Sequence, residues 1–263
     1  MGTKVILNNK HLPSKYQKYN LSVTINGISD SVYFLGEKYI LKIFENADKT
    51  TVNNEQKLLL ILDSLKVPKV IDHFHIANKE SLIYSRIEGK SIKKPNLSHI
   101  KQLGEFLKKL HTLTKNRSLS NRKLFTKKNL KQLILNSQNK QLLKYFNSIS
   151  IVLKNDGIIH GDLFYDNANF YKGTLSGVYD FSEACNGDFT FELAVVSISW
   201  CFDKKKLNEQ KLDTLIKSYG LKINRAHFYE YIKYALLYYA TTRYINNKNY
   251  NELLNKLDAL YKR

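Results

Sequence analysis

One histidine, two aspartates and an asparagine stand at spacings that suit phosphate chemistry. His160, Asp162 and Asn167 form a His-x-Asp-x4-Asn pattern, and Asp180 follows Asn167 by 13 residues. Phosphoryl transfer uses an aspartate that accepts or orients a hydroxyl proton, a nearby asparagine that reaches a metal, and a second aspartate that holds Mg²⁺ against the phosphates. A loop aspartate and asparagine can also serve only as turn caps. Because each aspartate here follows an apolar strand pattern, we favour the chemical interpretation.

The same region is acidic within a basic chain. Between Asp156 and Glu192 there are seven carboxylates and one lysine, Lys172, whereas the whole chain has a formal net charge of +19. A drift toward lysine does not produce an acidic segment of this kind. Carboxylate oxygens are the ligands that Mg²⁺ prefers, so the local charge also predicts a divalent metal site.

The first 88 residues are predicted to form a small antiparallel sheet with one helix. Runs of β-branched and aromatic residues indicate strands, and leucines at helical spacing indicate a helix. The predicted strands cover 21–25, 31–35, 38–44, 70–76 and 81–87, and the helix begins at Asn53 or Asn54 and ends before Pro68. Glu88-Gly89 is interpreted as a hinge.

Residues 89–263 are predicted to be mainly helical. The apolar spacing indicates helices around 103–110, through 118–148, and over 191–202, 224–245 and 249–261, with short strand pairs in 157–171 and 175–181. His111 follows the first apolar stripe and is interpreted as a core histidine. The fold class is therefore α+β, with a ligand cleft expected between the two lobes.

The segment from Gly157 to Phe202 resembles the aminoglycoside phosphotransferase and choline kinase superfamily, the small-molecule relatives of protein kinases. It is most similar to the homoserine kinases of this fold, which carry a similar loop ending in Asp-Asn, a similar Asp-Phe…Ala-Cys segment, and Trp-Cys near Trp200-Cys201. The resemblance implies a bilobal protein-kinase-like fold. It makes residues 1–88 the nucleotide-binding lobe and residues 89–263 the catalytic and acceptor-binding lobe.

The resemblance also implies roles for single side chains. Asp162 would be the catalytic aspartate, His160 a support of its loop, and Asn167 and Asp180 the ligands of Mg²⁺. Asp188 would buttress the loop from just before the following helix. Two positions depart from the pattern, because Tyr165 replaces the usual arginine of homoserine kinases and Glu192 replaces an aspartate.

Lys42 and the loop before it are the candidate nucleotide ligands. Lys42 lies in a β-branched stretch, where it could be an edge-strand lysine that discourages aggregation. It could instead contact the phosphates of ATP while paired with Glu55 from the next helix, and we favour this second interpretation. The hydroxyls of Ser29 and Ser31 could assist, because the loop contains only one glycine, Gly27.

The basic charge raises the alternative of nucleic-acid or membrane-surface binding. The chain contains 36 lysines and only six arginines, and ten of these basic residues lie between Lys101 and Lys131. Arginine is the usual reader of bases and the usual bidentate phosphate ligand. We therefore interpret the lysines as solvated surface residues, and expect no specific nucleic-acid partner and no membrane.

These observations predict a kinase of a small molecule's hydroxyl group that uses ATP and Mg²⁺. Homoserine is the leading acceptor by resemblance, and choline, ethanolamine, a sugar or an aminoglycoside remain open. A protein kinase is disfavoured because Ser182, not glycine, follows Asp180-Phe181. A non-catalytic nucleotide-binding pseudokinase is the other rival. Two cysteines, Cys185 and Cys201, exclude a disulfide scaffold and are expected to be buried, and we expect a cytoplasmic protein.

Overall fold

A computed structural model describes residues 6–24, 30–120 and 124–262. Within these ranges it contains eleven strands and eight α-helices. The strands are β1 Leu21–Val23, β2 Ser31–Leu35, β3 Tyr39–Ile43, β4 Val70–Ile76, β5 Lys79–Ser85, β6 Gly157–Ile159, β7 Ala168–Tyr171, β8 Thr174–Val178, β9 Cys185–Gly187, β10 Phe202–Asp203 and β11 Lys206–Leu207. The helices are α1 Lys49–Ile61, α2 Leu97–Thr114, α3 Lys127–Ser137, α4 Lys140–Ser148, α5 Phe189–Trp200, α6 Glu209–Tyr219, α7 Arg225–Ile245 and α8 Asn251–Tyr261.

The first five strands form one antiparallel sheet in the order β1-β2-β3-β5-β4. Strand β3 is therefore central, and Lys42 pairs with Val32 on one side and with Leu82 on the other. The edge-strand interpretation of Lys42 is wrong, because a central strand has no open edge for a lysine to protect. The predicted antiparallel sheet with one helix is confirmed.

The two faces of this sheet are buried against different parts of the chain. Side chains alternate between faces along a strand, so Leu41 and Ile43 point to the face opposite Lys42. They join a cluster completed by Leu12 and Tyr16 from the segment before β1. The face that carries Lys42 turns toward α1 and the larger, helical part of the molecule.

Helix α1 starts earlier than its leucine pattern predicts. Its N-cap is Asp48, whose side chain accepts a hydrogen bond from the Thr51 amide, and the helix ends at Ile61. Predicting the start at Asn53 or Asn54 was wrong, since both lie inside the helix. Threonine and valine have low helix propensity. Because the first turn of α1 contains both, the residue types there gave no indication of a helix.

The helical part is built around α5, which is buried on nearly all sides. A helix that is apolar around its circumference belongs in a core, and α5 packs against α6 and α7. Helix α6, which was not predicted, also packs against α2. Cys185 and Cys201 are both buried and free, as expected. None of the helices in the described ranges is long and apolar enough to cross a membrane.

The chain passes from the sheet to the helical part beside the β7–β8 hairpin. Gly89 adopts a φ of +92°, and a Cβ atom built there would stand 2.3 Å from the Phe170 carbonyl oxygen. The next residue, Lys90, exchanges backbone hydrogen bonds with Phe170. Only glycine fits this crossing. The described apolar core runs through both parts, and the boundary at residues 88 and 89 stays a prediction.

Candidate active site

The loop from His160 to Asn167 connects strands β6 and β7. The Asn167 side-chain amide donates hydrogen bonds to the Asp162 carbonyl oxygen at 2.7 Å and to the Asp162 carboxylate at 3.2 Å. These two bonds close the loop on itself. They fix the carboxylate of Asp162 beside Asn167. The spacing of these two residues in the sequence was the first indication of a reaction.

Asp162 lies in an environment that opposes its ionisation. Burial raises the pKa of its carboxyl well above the ordinary value, and the nearby charges of Asp180, Glu183 and Asp166 raise it further. The hydrogen bond from Asn167 acts in the opposite direction and is weaker. A carboxylate with a raised pKa is a stronger base, which suits a group that must take a proton from a hydroxyl.

Asp180 follows β8 with a left-handed backbone conformation, φ +64° and ψ +67°. Its Oδ1 atom accepts a hydrogen bond from the Lys42 ammonium at 2.8 Å and another from the Ser182 hydroxyl at 2.7 Å. The Asp180 side chain is 44% exposed. Its partial loss of solvent disfavours the charge, but Lys42 more than compensates and lowers the pKa of Asp180 to about 2. Asp180 is thus held as a carboxylate.

Lys42 brings the sheet into the site and is surrounded by three carboxylates. Its Nζ atom lies 2.8 Å from Asp180, 3.6 Å from Asp30 and 3.7 Å from Glu55. Burial alone would lower the pKa of Lys42, yet these carboxylates raise it above the ordinary value, with Asp180 the strongest. The ammonium is therefore fully charged at any physiological pH.

Glu55 projects from α1 and is almost completely buried. Its Oε1 atom accepts a hydrogen bond from the Tyr84 hydroxyl at 3.0 Å, while Oε2 faces Lys42 with no hydrogen-bond partner. Burial raises the pKa of Glu55, and Lys42 partly reverses that effect. The predicted strand lysine and helix glutamate therefore do lie together, with 3.7 Å between Lys42 Nζ and Glu55 Oε2.

His160 is a structural member of the loop. Its Nε2 atom donates to the Tyr179 carbonyl at 3.0 Å, and its Nδ1 atom accepts from the Asp162 amide at 3.2 Å. Burial lowers the pKa of His160, so the ring is neutral and both nitrogens are used. Since Tyr179 immediately precedes Asp180, His160 ties the two aspartate-bearing segments together.

Glu192 on α5 is a site residue that the sequence did not identify. Its two carboxylate oxygens accept hydrogen bonds from the backbone amides of His160 and Gly161, each at 2.9 Å. The Glu192 side chain is fully buried, and although burial opposes its charge, the hydrogen bond from His111 and its other partners lower its pKa. The replacement of an aspartate by Glu192 was visible in the sequence, and it was the only indication that this residue belongs to the site.

The buttress role that the resemblance implied for Asp188 belongs instead to Glu192. Asp188 is the N-cap of α5, where it accepts from the amides of Thr190 and Phe191, and it also accepts from the amide of Lys154. Those partners lie outside the loop of His160 to Asn167. Asp188 therefore holds the start of the helix that carries Glu192.

His111 is a satisfied core histidine, as predicted. Its Nε2 atom lies 2.9 Å from the Glu192 carboxylate, and its Nδ1 atom lies 2.9 Å from the Tyr219 hydroxyl. The imidazole also stacks on Phe189 with ring centroids 3.9 Å apart. Three helices, α2, α5 and α6, thereby meet at the carboxylate that holds the loop.

The two serine candidates do not join this cluster. Ser31 pairs with Ile43 across the β2–β3 ladder, so it shares the face opposite Lys42. Its hydroxyl is fully buried and donates to the Glu45 carboxylate. The interpretation of Ser31 as a phosphate ligand does not fit this position. Ser29 lies outside the described residues.

Aromatic side chains and two further acids also lie near Asp162. The Tyr239 hydroxyl of α7 donates to the Gly161 carbonyl, and its ring meets Phe164 edge-on at 4.8 Å. Asp166 and Glu183 are exposed and are close enough to raise the pKa of Asp162. A ligand beside Asp162 would meet aromatic surface and negative charge.

An antiparallel sheet with a lysine–glutamate pair, followed by a catalytic-type loop and a second aspartate, defines the class of kinase-like phosphotransferases. The model of the phosphotransferase enzyme family (APH) matches residues 23–219. The chain belongs to this family, as the sequence predicted.

Solved structures of this class share the fold at low sequence identity. The GDP complex of wild-type aminoglycoside 2'-phosphotransferase-IIIa gives a TM-score of 0.66 at 13% identity, over 92% of this chain and 91% of that chain. Macrolide 2'-phosphotransferase from Brachybacterium faecium gives a TM-score of 0.62 at 15% identity, over 93% of both chains. The kinase-like α+β fold is thus confirmed.

Curated relatives match a shorter stretch at higher identity. Homoserine kinase from Bartonella tribocorum is 31% identical over 141 residues, which is 49% of this chain and 44% of that protein. Homoserine kinase from Methylobacterium radiotolerans is 33% identical over 144 residues, again 49% of this chain and 44% of that protein. The aligned part spans less than half the length of these two relatives.

Proposed function

We propose that this protein transfers the γ-phosphoryl group of ATP, with Mg²⁺, to the hydroxyl group of a small molecule, and that homoserine is the acceptor. The observation that carries the proposal is the ion pair of Lys42 with Asp180. These residues are 138 positions apart in the chain, yet their charged atoms lie 2.8 Å apart, and the charge of Asp180 acts on the neighbouring Asp162. Such a convergence serves phosphoryl transfer.

Asp180 and Asn167 are the residues that would hold the metal. Mg²⁺ is usually bound by one or two carboxylates together with substrate phosphates. Asp180 is kept ionised, and its contacts with Lys42 and Ser182 both use Oδ1. The Asn167 amide nitrogen is committed to Asp162, which leaves its amide oxygen for a cation. When bound, Mg²⁺ would neutralise charge on the transferred phosphate.

Lys42 would bind the phosphates, and Glu55 would keep it in place. The lysine side chain is 9% exposed, and its ammonium lies 4.6 Å from the centroid of the Phe44 ring. Glu55, held by Tyr84, limits the positions that the ammonium can occupy. The lysine then presents a fixed positive charge to the nucleotide, and such preorganised charge stabilises a transition state without reorganisation.

Asp162 would orient the acceptor hydroxyl and take its proton. Its raised pKa makes it a competent base, and the hydrogen bonds from Asn167 fix its carboxylate. Glu192 holds the backbone of the same loop through His160 and Gly161. Catalysis of this kind depends on position as much as on basicity.

The acceptor is proposed to carry an ammonium group. The exposed carboxylates of Asp166 and Glu183 lie near Asp162, and Tyr239 and Phe164 supply aromatic faces, which attract cations. Homoserine has one ammonium and one carboxylate, and the segment after Glu192 is rich in lysine. The relatives that are homoserine kinases support this acceptor. A polycationic aminoglycoside would need more carboxylates to bind its ammonium groups than the site offers besides those proposed for catalysis and metal binding.

The test is a side-by-side measurement of kcat/KM with Mg²⁺ and ATP for homoserine, choline, ethanolamine, a hexose and an aminoglycoside. We expect homoserine to give the highest value, and EDTA to remove all turnover until Mg²⁺ is restored. A clear preference for the aminoglycoside would overturn the acceptor assignment. ATP binding without transfer to any acceptor, with Mg²⁺ or Mn²⁺, would favour the pseudokinase.

A further inference from the structure

Asp30 is a third carboxylate on Lys42 for which the proposed reaction has no use. It lies directly before β2, is 15% exposed, and places Oδ2 3.6 Å from the Lys42 ammonium. Its Oδ1 atom accepts a hydrogen bond from the Glu45 backbone amide at 3.1 Å. The second bond fixes the side chain, so the contact with Lys42 is built into the fold.

The other two carboxylates beside Lys42 would each keep a favourable interaction when nucleotide is bound. Glu55 stays as the anchor of the lysine, and Asp180 can turn its charge to a metal ion. Among the described charged groups, Lys42 is the only cation that forms an ion pair with Asp30. A phosphate that approaches Lys42 would therefore meet the uncompensated charge of Asp30 in a poorly solvated site, where like charges repel strongly.

We propose that Asp30 competes with the nucleotide phosphates for Lys42 and thereby sets the affinity for nucleotide. In the nucleotide-free protein, Asp30 and Asp180 share the ammonium. Nucleotide must displace both, and only Asp180 gains a new partner in exchange. Asp30 thus weakens nucleotide binding and holds the lysine in its place until a nucleotide arrives. This inference rests on the proposed function.

The decisive variant is Asp30→Asn, measured by calorimetric titration with ADP in EDTA and again with Mg²⁺. Asparagine retains an oxygen for the Glu45 amide and removes only the charge. We expect the variant to bind ADP about tenfold more tightly in both conditions, which is about 1.4 kcal/mol. Asp30→Glu keeps the charge and should show no such gain.

Asp63→Asn is the matched control. Asp63 is an exposed acid after α1, and its only described ion pair is with Lys69 at 3.1 Å, so this change removes the same unit charge from a position that is not paired with Lys42. Unchanged or weaker ADP binding by Asp30→Asn in EDTA would overturn the inference. A loss of affinity only with Mg²⁺ would also overturn it, and would make Asp30 a metal ligand. If the unmodified protein binds no nucleotide, the proposed function itself fails.

Discussion

At the scale of single residues, the environment of Asp162 carries a cost in stability. Burial and three neighbouring carboxylates make its charged form unfavourable. In the folded protein its pKa is raised above that of the unfolded chain, so the folded state binds the proton more tightly. The stabilisation from the protonated form is fully present below the unfolded pKa and is lost as the pH rises toward the folded pKa.

The first prediction concerns the stability of Asp162→Asn. Without nucleotide and divalent metal, this variant should melt higher than the unmodified protein at neutral pH, by roughly 2–4 °C, or about 1 kcal/mol for a domain of this size. The gain should shrink as the pH falls, because Asp162 then becomes protonated in both states. Thermal unfolding at several pH values measures it. A lower melting temperature for Asp162→Asn, with Asp63→Asn unchanged, would contradict this account.

The sequence can nominate some candidate residues more readily than others, for a simple geometric reason. Lys42, Glu55 and Asp180 could be chosen because residue type and chain spacing suffice to suggest a lysine–glutamate pair and a metal-binding aspartate. Ser31 could not be judged in this way, because a one-residue difference in strand register decides which face a side chain takes. Only the observed pairing of Ser31 with Ile43 shows that its hydroxyl points away from Lys42.

At the scale of secondary-structure elements, the loop depends on three helices that pack behind it. Glu192 of α5 binds the loop backbone, His111 of α2 binds Glu192, and Tyr219 of α6 binds His111. A buried carboxylate is tolerable only when its oxygens are hydrogen-bonded. The charge of Glu192 is satisfied by donors that exist only in the assembled fold.

Sequence patterns predicted most of these helices but neither their exact limits nor their contacts. Helix α6 was missed although Asn208 caps it, Gly220 follows it, and Leu212, Leu215 and Ile216 have helical spacing. The role of Glu192 could not be derived at all, because its partners lie on another helix and on a loop. Contacts between distant elements depend on packing, which one sequence does not display.

The second prediction tests this support with Glu192→Gln. The glutamine amide has one acceptor oxygen, whereas the two backbone amides and His111 use both oxygens of the Glu192 carboxylate. At least one buried donor is therefore left without an acceptor. We expect the free energy of unfolding to fall by about 1–3 kcal/mol, and kcat to fall at least about tenfold with little change in the KM for ATP. Steady-state kinetics at saturating and limiting ATP separate these effects.

Two further variants make the second prediction specific. Glu192→Asp retains the charge with a shorter reach and should recover part of the lost kcat. Glu105→Gln removes an exposed acid of α2 that faces Lys101 and should leave kcat unchanged. An increase in KM for ATP without a decrease in kcat would show that Glu192 acts on the nucleotide instead of on the loop.

At the scale of the whole molecule, charge is divided between a basic surface and an acidic candidate site. The described lysines of the 101–131 segment are exposed or half-buried, while its apolar residues Leu103, Leu107 and Leu110 are buried. The acids cluster around Asp162 and Lys42. The net charge of +19 therefore describes the outer surface and not the site.

The third prediction follows from this separation. Binding to double-stranded DNA or to RNA should be weak, independent of sequence, and lost as salt approaches physiological concentration, because the released counterions then provide little driving force. Fluorescence anisotropy over a salt series measures it. Sequence-selective binding that persists at physiological salt would show that the lysines form a nucleic-acid site.

The most direct test of the central claim is transfer of labelled γ-phosphate from ATP to homoserine by the unmodified protein and by Asp162→Asn, with the Kd for nucleotide measured on the same samples. The account predicts Mg²⁺-dependent transfer by the unmodified protein. In the variant, the rate should fall by at least about 10²-fold, the scale of a lost general base, while the Kd changes little. Equal transfer by both proteins would contradict the assignment of Asp162 and of the reaction.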